Sequence, residues 1–290
     1  AESLRLMDDF GILDKIFPEI IASKCMLQPA EHFWPVFDHL IETVSKLEKI
    51  LQNDGDSKPE PEDFALELIP HFDDQENHFR EIVGDGQTRL TLCKFACLLH
   101  DIAKPATRTI DNNNRIRFLG HDKKGSEMAE IILKRLRFSR AATSIVATQV
   151  RQHLRPSQMA PNGKLPSKKA MYRYYRDLGE ESIDNLFLNM ADYMAARGPM
   201  LKKDEWETHC EIINHIISSG LAEKKPQKQE RLVTGHDIMD RLRLSPGPHI
   251  GILIEEVTES YVEGKVTTKE EAMELVRKLV ESGDYFEKEC

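Results

Sequence analysis

No run of this 290-residue chain approaches the roughly 18 consecutive apolar residues that a membrane-spanning helix needs, and the mean hydropathy is -0.47. A membrane helix is therefore not expected. The first ten residues lack the basic stretch and apolar segment of a secretory signal, carrying Glu2, Asp8 and Asp9 instead, so the cytoplasm is the expected compartment. The five cysteines, Cys25, Cys93, Cys97, Cys210 and Cys290, are odd in number and have no CxxC spacing, which argues against a disulfide framework and a cysteine zinc site. Internal repeats and low-complexity tracts are absent. Alternating strand patterns are scarce, the one candidate being a short hairpin over Thr107 to Leu119 with Asn112, Asn113 and Asn114 at its centre.

What the chain does have is helical periodicity. Val36, Leu40, Val44, Leu47 and Leu51 recur in steps of three and four, placing one apolar stripe on one helix face. Ser139 precedes a helix with an Ile145, Val146, Val150, Leu154 face; Ser167 opens and Gly179 closes another; Gly220 is expected to end a helix holding Trp206, Cys210, Ile213 and Ile217. Thr268 and Glu271 form a capping box. The expected fold is all-α. Asn53 to Asp63 and Asp73 to Thr88 read as loops without a site, and Ala222 to Gln229, with Lys224, Lys225, Pro226 and Lys228, as a linker.

The net charge of -9 is unevenly spread. Between Asp101 and Glu180 there are 17 lysines and arginines against 7 aspartates and glutamates, a local +10 that leaves -19 for the remainder. A basic run is often a solvated helix face, and it also suits a phosphate-bearing substrate.

The residues with metal-ligand chemistry are dispersed but each sits beside core-type residues. His100-Asp101 closes the apolar run Phe95 to Leu99 and is followed by Lys104-Pro105, where a helix resists continuing, so one nitrogen and one oxygen ligand turn into the same space. His39 lies inside the first striped helix, His121 in Gly120-His121-Asp122, His153 on the helix after Ser139, and Asp192 in Ala191-Asp192-Tyr193. A lone histidine on an apolar face is usually a satisfied core residue. Four histidines and two aspartates together suit two divalent cations, with Asp101 bridging. His32, His71, His78, His209, His215, His236 and His249 have no matching context.

Phe37-Asp38-His39-Leu40, Leu98 to Pro105, Ile116 to Asp122, Gln152-His153-Leu154-Arg155-Pro156 and Ala191-Asp192 resemble the ordered H, HD, H, H, D signature of HD-domain metal-dependent phosphohydrolases. Within that superfamily the chain resembles the C-terminal half of bacterial class II tRNA nucleotidyltransferases, the CCA-adding enzymes and related poly(A) polymerases. Leu13 to Ile20, with Phe17-Pro18-Glu19, resembles the stretch before their HD domain, and Leu232 to Val276, with Gly235-His236-Asp237 and Pro246-Gly247-Pro248, resembles their tail. Ala103 stands where the family usually has glycine. The polymerase signature, Gly-Gly with a following arginine and an Asp-x-Asp pair, is missing, so a nucleotidyltransferase head is expected to be separate from these residues or fused to them elsewhere.

The resemblance implies a helical HD bundle at 32–221, a lead-in at 1–31 and a linker and tail at 222–290. It implies one or two divalent ions (Mn, Ni, Mg, Co or Fe) on His39, His100, Asp101, His121, His153 and Asp192, and phosphatase and 2′,3′-cyclic phosphodiesterase activity on nucleotides. Lys104 is placed to neutralise charge on the phosphoryl group, or to complement a helix C-terminus, and Arg108 and Arg117 to hold a flanking phosphate. A second reading is a non-catalytic body that holds tRNA or another structured RNA through Arg135, Arg137, Arg140, Lys168, Lys169 and Arg173, near Tyr172, Tyr174 and Tyr175, which equally suit helix packing. Neither DNA nor a membrane is an expected partner.

Overall fold

In the computed structural model, residues 1–51, 63–223 and 232–283 are described. The order is α1 (Glu2–Asp9), α2 (Leu13–Ile16), α3 (Val36–Leu51), α4 (Asp63–Glu67), α5 (Gln75–Arg80), β1 (Ile82–Gly84), β2 (Gln87–Thr88), α6 (Arg89–Leu99) and α7 (Lys104–Thr107). Then come β3 (Thr109–Ile110), β4 (Ile116–Arg117), α8 (His121–Arg135), α9 (Arg140–Gln152), α10 (Arg155–Gln158), α11 (Lys168–Leu178) and α12 (Ser182–Arg197). The chain continues with α13 (Lys203–Glu223), α14 (Gly235–Leu242), α15 (Pro248–Val262) and α16 (Lys269–Ser282). The protein is all-α, with two small antiparallel strand pairs among the described residues.

The chain forms two compact units, one of residues 1–165 and 177–218, the other of residues 166–176 and 219–290. In the first, α3 packs against α12 and α6, α6 against α9, and α9 against α8. The stripe read on α3 is the reason: Val36, Leu40, Val44 and Leu47 are all buried, as are Leu92 and Leu99 of α6, Val146 and Val150 of α9 and Leu186 of α12. Each such side chain contributes about 1.5–3 kcal/mol by leaving water. That burial fixes how α3, α6, α9 and α12 face one another, and so fixes what their polar residues can reach. The second unit has its own apolar core, built from Ile238, Leu253, Val257, Met273 and Val276 among others.

The caps read from the sequence are in place: Ser139 accepts from the Ala142 amide at 3.2 Å, and Thr268 and Glu271 form a reciprocal box at α16. A second box, Thr234 with Asp237, opens α14. Two local expectations change. Gly220 does not end its helix, because α13 continues to Glu223; a Cβ at position 220 would collide with the Tyr175 ring, so glycine is there for close approach. The stretch from Asp73 to Thr88 is not a plain loop but carries α5 and the β1–β2 hairpin, tied to the core where His78 meets Asp184 at 2.6 Å. Two strands of three and two residues are too short for alternation to reveal. The hairpin within Thr107 to Leu119 is present as Thr109 opposite Arg117 and Ile110 opposite Ile116, with Asn114 left-handed at its tip. The linker read at Ala222 to Gln229 and the loop at Asn53 to Asp63 lie largely outside the described residues; only 222–223 and 63 are described, as parts of α13 and α4.

Candidate metal centre

Local chain geometry brings each polar side chain to the centre of the first unit. His39 is fully buried on α3; His100 is the C-terminal cap of α6, and Asp101 follows in the turn before α7. Gly120, at φ 75°, lets the chain turn sharply so that His121 is the first residue of α8. His153 caps the C-terminus of α9, and Asp192 projects from α12.

Three of the four imidazoles are oriented in the same way. Nδ1 of His100 donates to the Cys97 carbonyl at 2.8 Å, Nδ1 of His121 to Phe118 at 2.6 Å, and Nδ1 of His153 to Val150 at 2.7 Å. A carbonyl only accepts, so Nδ1 carries the proton and the neutral ring presents a bare Nε2 lone pair. For His100 and His153 the last turn of the helix that each caps supplies this carbonyl; for His121 the turn before α8 does.

The six side chains fall into two groups sharing Asp101. On one side His39 Nε2 lies 3.1 Å from His100 Nε2, 3.0 Å from Asp192 Oδ1 and 3.4 Å from Asp101 Oδ2. On the other, Asp101 Oδ1 lies 3.2 Å from His121 Nε2 and 3.8 Å from His153 Nε2. Ligand atoms on one tetrahedral ion at bond lengths of about 2.0–2.2 Å are roughly 3.3–3.6 Å apart. The spacings here suit that arrangement twice over. Asp101 Oδ1 and His121 Nε2 are buried with no hydrogen-bond partner despite their proximity, which is the condition a cation between them would relieve. The donor set therefore fits divalent metal ions.

The electrostatics agree. Burial opposes charging His100, but the Asp101 and Asp192 carboxylates outweigh it and raise its pKa well above the ordinary value. Burial likewise opposes ionising Asp101, and Lys104 and His100 outweigh that, holding its pKa well below the usual carboxylate range. Asp192 is lowered in the same manner, burial being overcome by His100 and His39. His153, with burial dominant and His100 adding repulsion, is pushed down to about 4 and stays neutral. A field that draws a proton onto His100 also draws a metal cation.

Lys104 lies against this centre, 5% exposed, with Nζ 2.5 Å from Asp101 Oδ2. It is the first residue of the four-residue helix α7, and so lies in its last turn as well. A cavity of about 850 Å³ leads to the candidate ligands Asp101, His121, His153 and Asp192, with Lys104, Arg115, Arg117 and Phe118 on its wall. Arg117 is there, paired with Asp111 at 3.2 Å, but Arg108 is exposed and is not among the lining residues. His32, which no periodic context singles out in the sequence, also lines the cavity, with its pKa pushed down by burial to about 3.

The residues read as an RNA face are spread over both units. Arg135 binds Glu19 through Nη2 at 2.8 Å, while Arg137 and Arg140 are exposed. In the second unit Lys169 and Arg173 both pair with the buried Glu259, Lys169 at 2.7 Å, and Lys168 is exposed. Tyr174 is fully buried, which makes it a packing residue.

A bundle with histidines and aspartates arranged in this way defines an HD-type metal-binding domain, and the chain belongs to the HD domain family, matched over residues 36–197. It is 29% identical over 277 residues to the CC-adding tRNA nucleotidyltransferase of Thermus thermophilus, covering 94% of this chain and 51% of that protein. It is 26% identical over 283 residues to the A-adding tRNA nucleotidyltransferase of Deinococcus radiodurans, covering 97% and 55% respectively. The chain thus spans about half the length of these relatives. Among the described residues no helix is long and apolar enough to cross a membrane.

Proposed function

We propose that the chain is a metal-dependent phosphohydrolase acting on phosphate esters of nucleotides, of the phosphatase and 2′,3′-cyclic phosphodiesterase type, within a tRNA-processing protein. The observation that carries this reading is the shared Asp101: its two carboxylate oxygens each face a separate pair of histidine Nε2 atoms. His39, His100, Asp101 and Asp192 hold one divalent ion, and Asp101, His121 and His153 a second. Bound there, such ions supply a water nucleophile at neutral pH and polarise a phosphoryl oxygen. The protein's own groups do the rest. The three Nδ1 bonds to backbone carbonyls hold the ligands preorganised, and Lys104 offsets the negative charge that grows on the phosphoryl oxygens. Arg117, at the mouth, is positioned for a flanking phosphate.

The names of the relatives support tRNA as the RNA partner. The proposed contacts are Arg135, Arg137, Arg140, Lys168, Lys169 and Arg173, with residues 222–290 as a tail following an HD body and a 1–31 lead-in. The test is turnover of 2′,3′-cyclic nucleotides and nucleoside monophosphates by protein loaded in turn with Mn, Ni, Mg, Co or Fe. Turnover that needs metal and is lost in His100→Ala supports the reading; no turnover with any of these metals refutes it.

A further inference from the structure

The cavity has one wall that the HD family match does not include. Pro29, Ala30, Glu31 and His32 line it, whereas the match begins at residue 36. This strap is fastened to the domain by backbone bonds from Val36 N to Met26 O at 2.9 Å and from Phe33 N to Ala196 O at 2.8 Å. Its side chains reach Lys104. Nζ donates to Gln28 Oε1 at 2.6 Å and lies 3.5 Å from His32 Nε2, in addition to its contact with Asp101 Oδ2.

Those three acceptors match the three donors of an ammonium group. The orientation of Gln28 is not arbitrary. Its Nε2 donates to the Trp34 carbonyl at 3.0 Å, and since that oxygen only accepts, Oε1 is the atom that must face Lys104. His32 is set edge-on against the ring of His39, 5.5 Å between centroids, and its Nδ1 is buried without a partner. Such an arrangement satisfies Lys104 while leaving another polar atom unsatisfied, which simple packing would not select.

We infer that Gln28 and His32 are positioning residues: together with Asp101 Oδ2 they form an acceptor cradle that fixes the Lys104 ammonium at the cavity wall. Lysine has a flexible four-carbon stem and no preferred fork geometry, so its aim must come from its partners. Paired with Asp101 alone, the Lys104 ammonium would be fixed at one of its three N–H bonds and free to swing about that contact. With the cradle it keeps its charge at the cavity side, and the working site extends into residues 28–32. The catalytic consequence rests on the phosphohydrolase reading; the cradle itself does not.

The experiment compares Gln28→Met, which keeps size but removes both the acceptor for Lys104 and the donor to Trp34, with Gln28→Glu, which restores the acceptor alone. Two readouts are taken on the full chain. Amine acylation mapped by mass spectrometry reports how well Lys104 is held, with buried Lys46 as the internal reference. Steady-state kinetics on a 2′,3′-cyclic nucleotide report its aim. In Gln28→Met, Lys104 labelling is expected to rise severalfold while Lys46 is unchanged, and kcat to fall about ten- to a hundredfold with KM changed far less. Gln28→Glu is expected to recover most of both, and His32→Phe, which keeps the ring, to shift them in the direction of Gln28→Met. Unchanged Lys104 labelling in Gln28→Met, or equal loss in Gln28→Glu, overturns the cradle. Wild-type protein without turnover overturns only the phosphohydrolase reading, because the labelling comparison still decides the cradle.

Discussion

His39 and His100, 61 positions apart in sequence, bring their Nε2 atoms to 3.1 Å with both side chains fully buried. The two nitrogens are close enough to share a proton as a hydrogen bond, and with the two flanking carboxylates they equally suit a shared cation. Metal removal is therefore expected to weaken the fold as well as the activity. At a metal concentration a hundred times Kd, binding adds about 2.7 kcal/mol to stability. Thermal unfolding with and without chelator should show a fall of several degrees in Tm; no difference would mean that the ligands hold no ion in the native protein.

The close approach of Gly220 to Tyr175 gives a test in the second unit. Alanine is ordinarily better than glycine inside a helix by about 1 kcal/mol. Here the added Cβ meets the ring, so Gly220→Ala is expected to destabilise by about 1–3 kcal/mol. Chemical denaturation of Gly220→Ala alone and combined with Tyr175→Ala separates the two effects. If the single variant is more stable than the wild type, the ring is not a constraint.

His209 stacks on Tyr193, centroids 4.3 Å apart, and burial pushes its pKa down to about 4 from 6.5. Because the folded value is the lower one, the unfolded chain takes up the proton first as pH falls. Stability is thus lost between about pH 6.5 and 4, by up to on the order of 3 kcal/mol from this group. His209→Phe keeps a ring in the stack and should flatten the decline over that window. Parallel wild-type and variant curves would contradict the shift.

For RNA, the exposed Arg137, Arg140 and Lys168 are the charges to alter, since Lys169 and Arg173 already neutralise Glu259. Affinity for tRNA should fall steeply with salt, and reversing these three charges should lower the slope of log K against log salt by about 0.9 for each phosphate that is no longer neutralised. An unchanged slope would make the basic run a solvated surface only.

The helices are legible because burial writes its period into the sequence, as in the Val36, Leu40, Val44, Leu47 stripe. The six ligand candidates stand out because each lies beside a helix end or core run, and the fold does bring all six together. His32 and Gln28 leave no such trace. They act from an irregular strap, where no periodicity marks which way a side chain points, and only tertiary contact with Lys104 reveals them. Gly220 misleads for a related reason: a glycine required by a neighbouring ring looks the same in sequence as one that ends a helix. The β1–β2 hairpin is simply too short to carry a pattern.

Whether the buried histidines and aspartates hold metal is decided by elemental analysis of purified wild-type protein beside the His100→Ala, Asp101→Ala double variant, with His209→Ala as a control and turnover of a 2′,3′-cyclic nucleotide recorded on each. One to two divalent ions per chain are expected in the wild type and the control, with metal-dependent turnover, and neither ion nor turnover in the double variant. Metal content in the wild type indistinguishable from that of the double variant would contradict the metal centre.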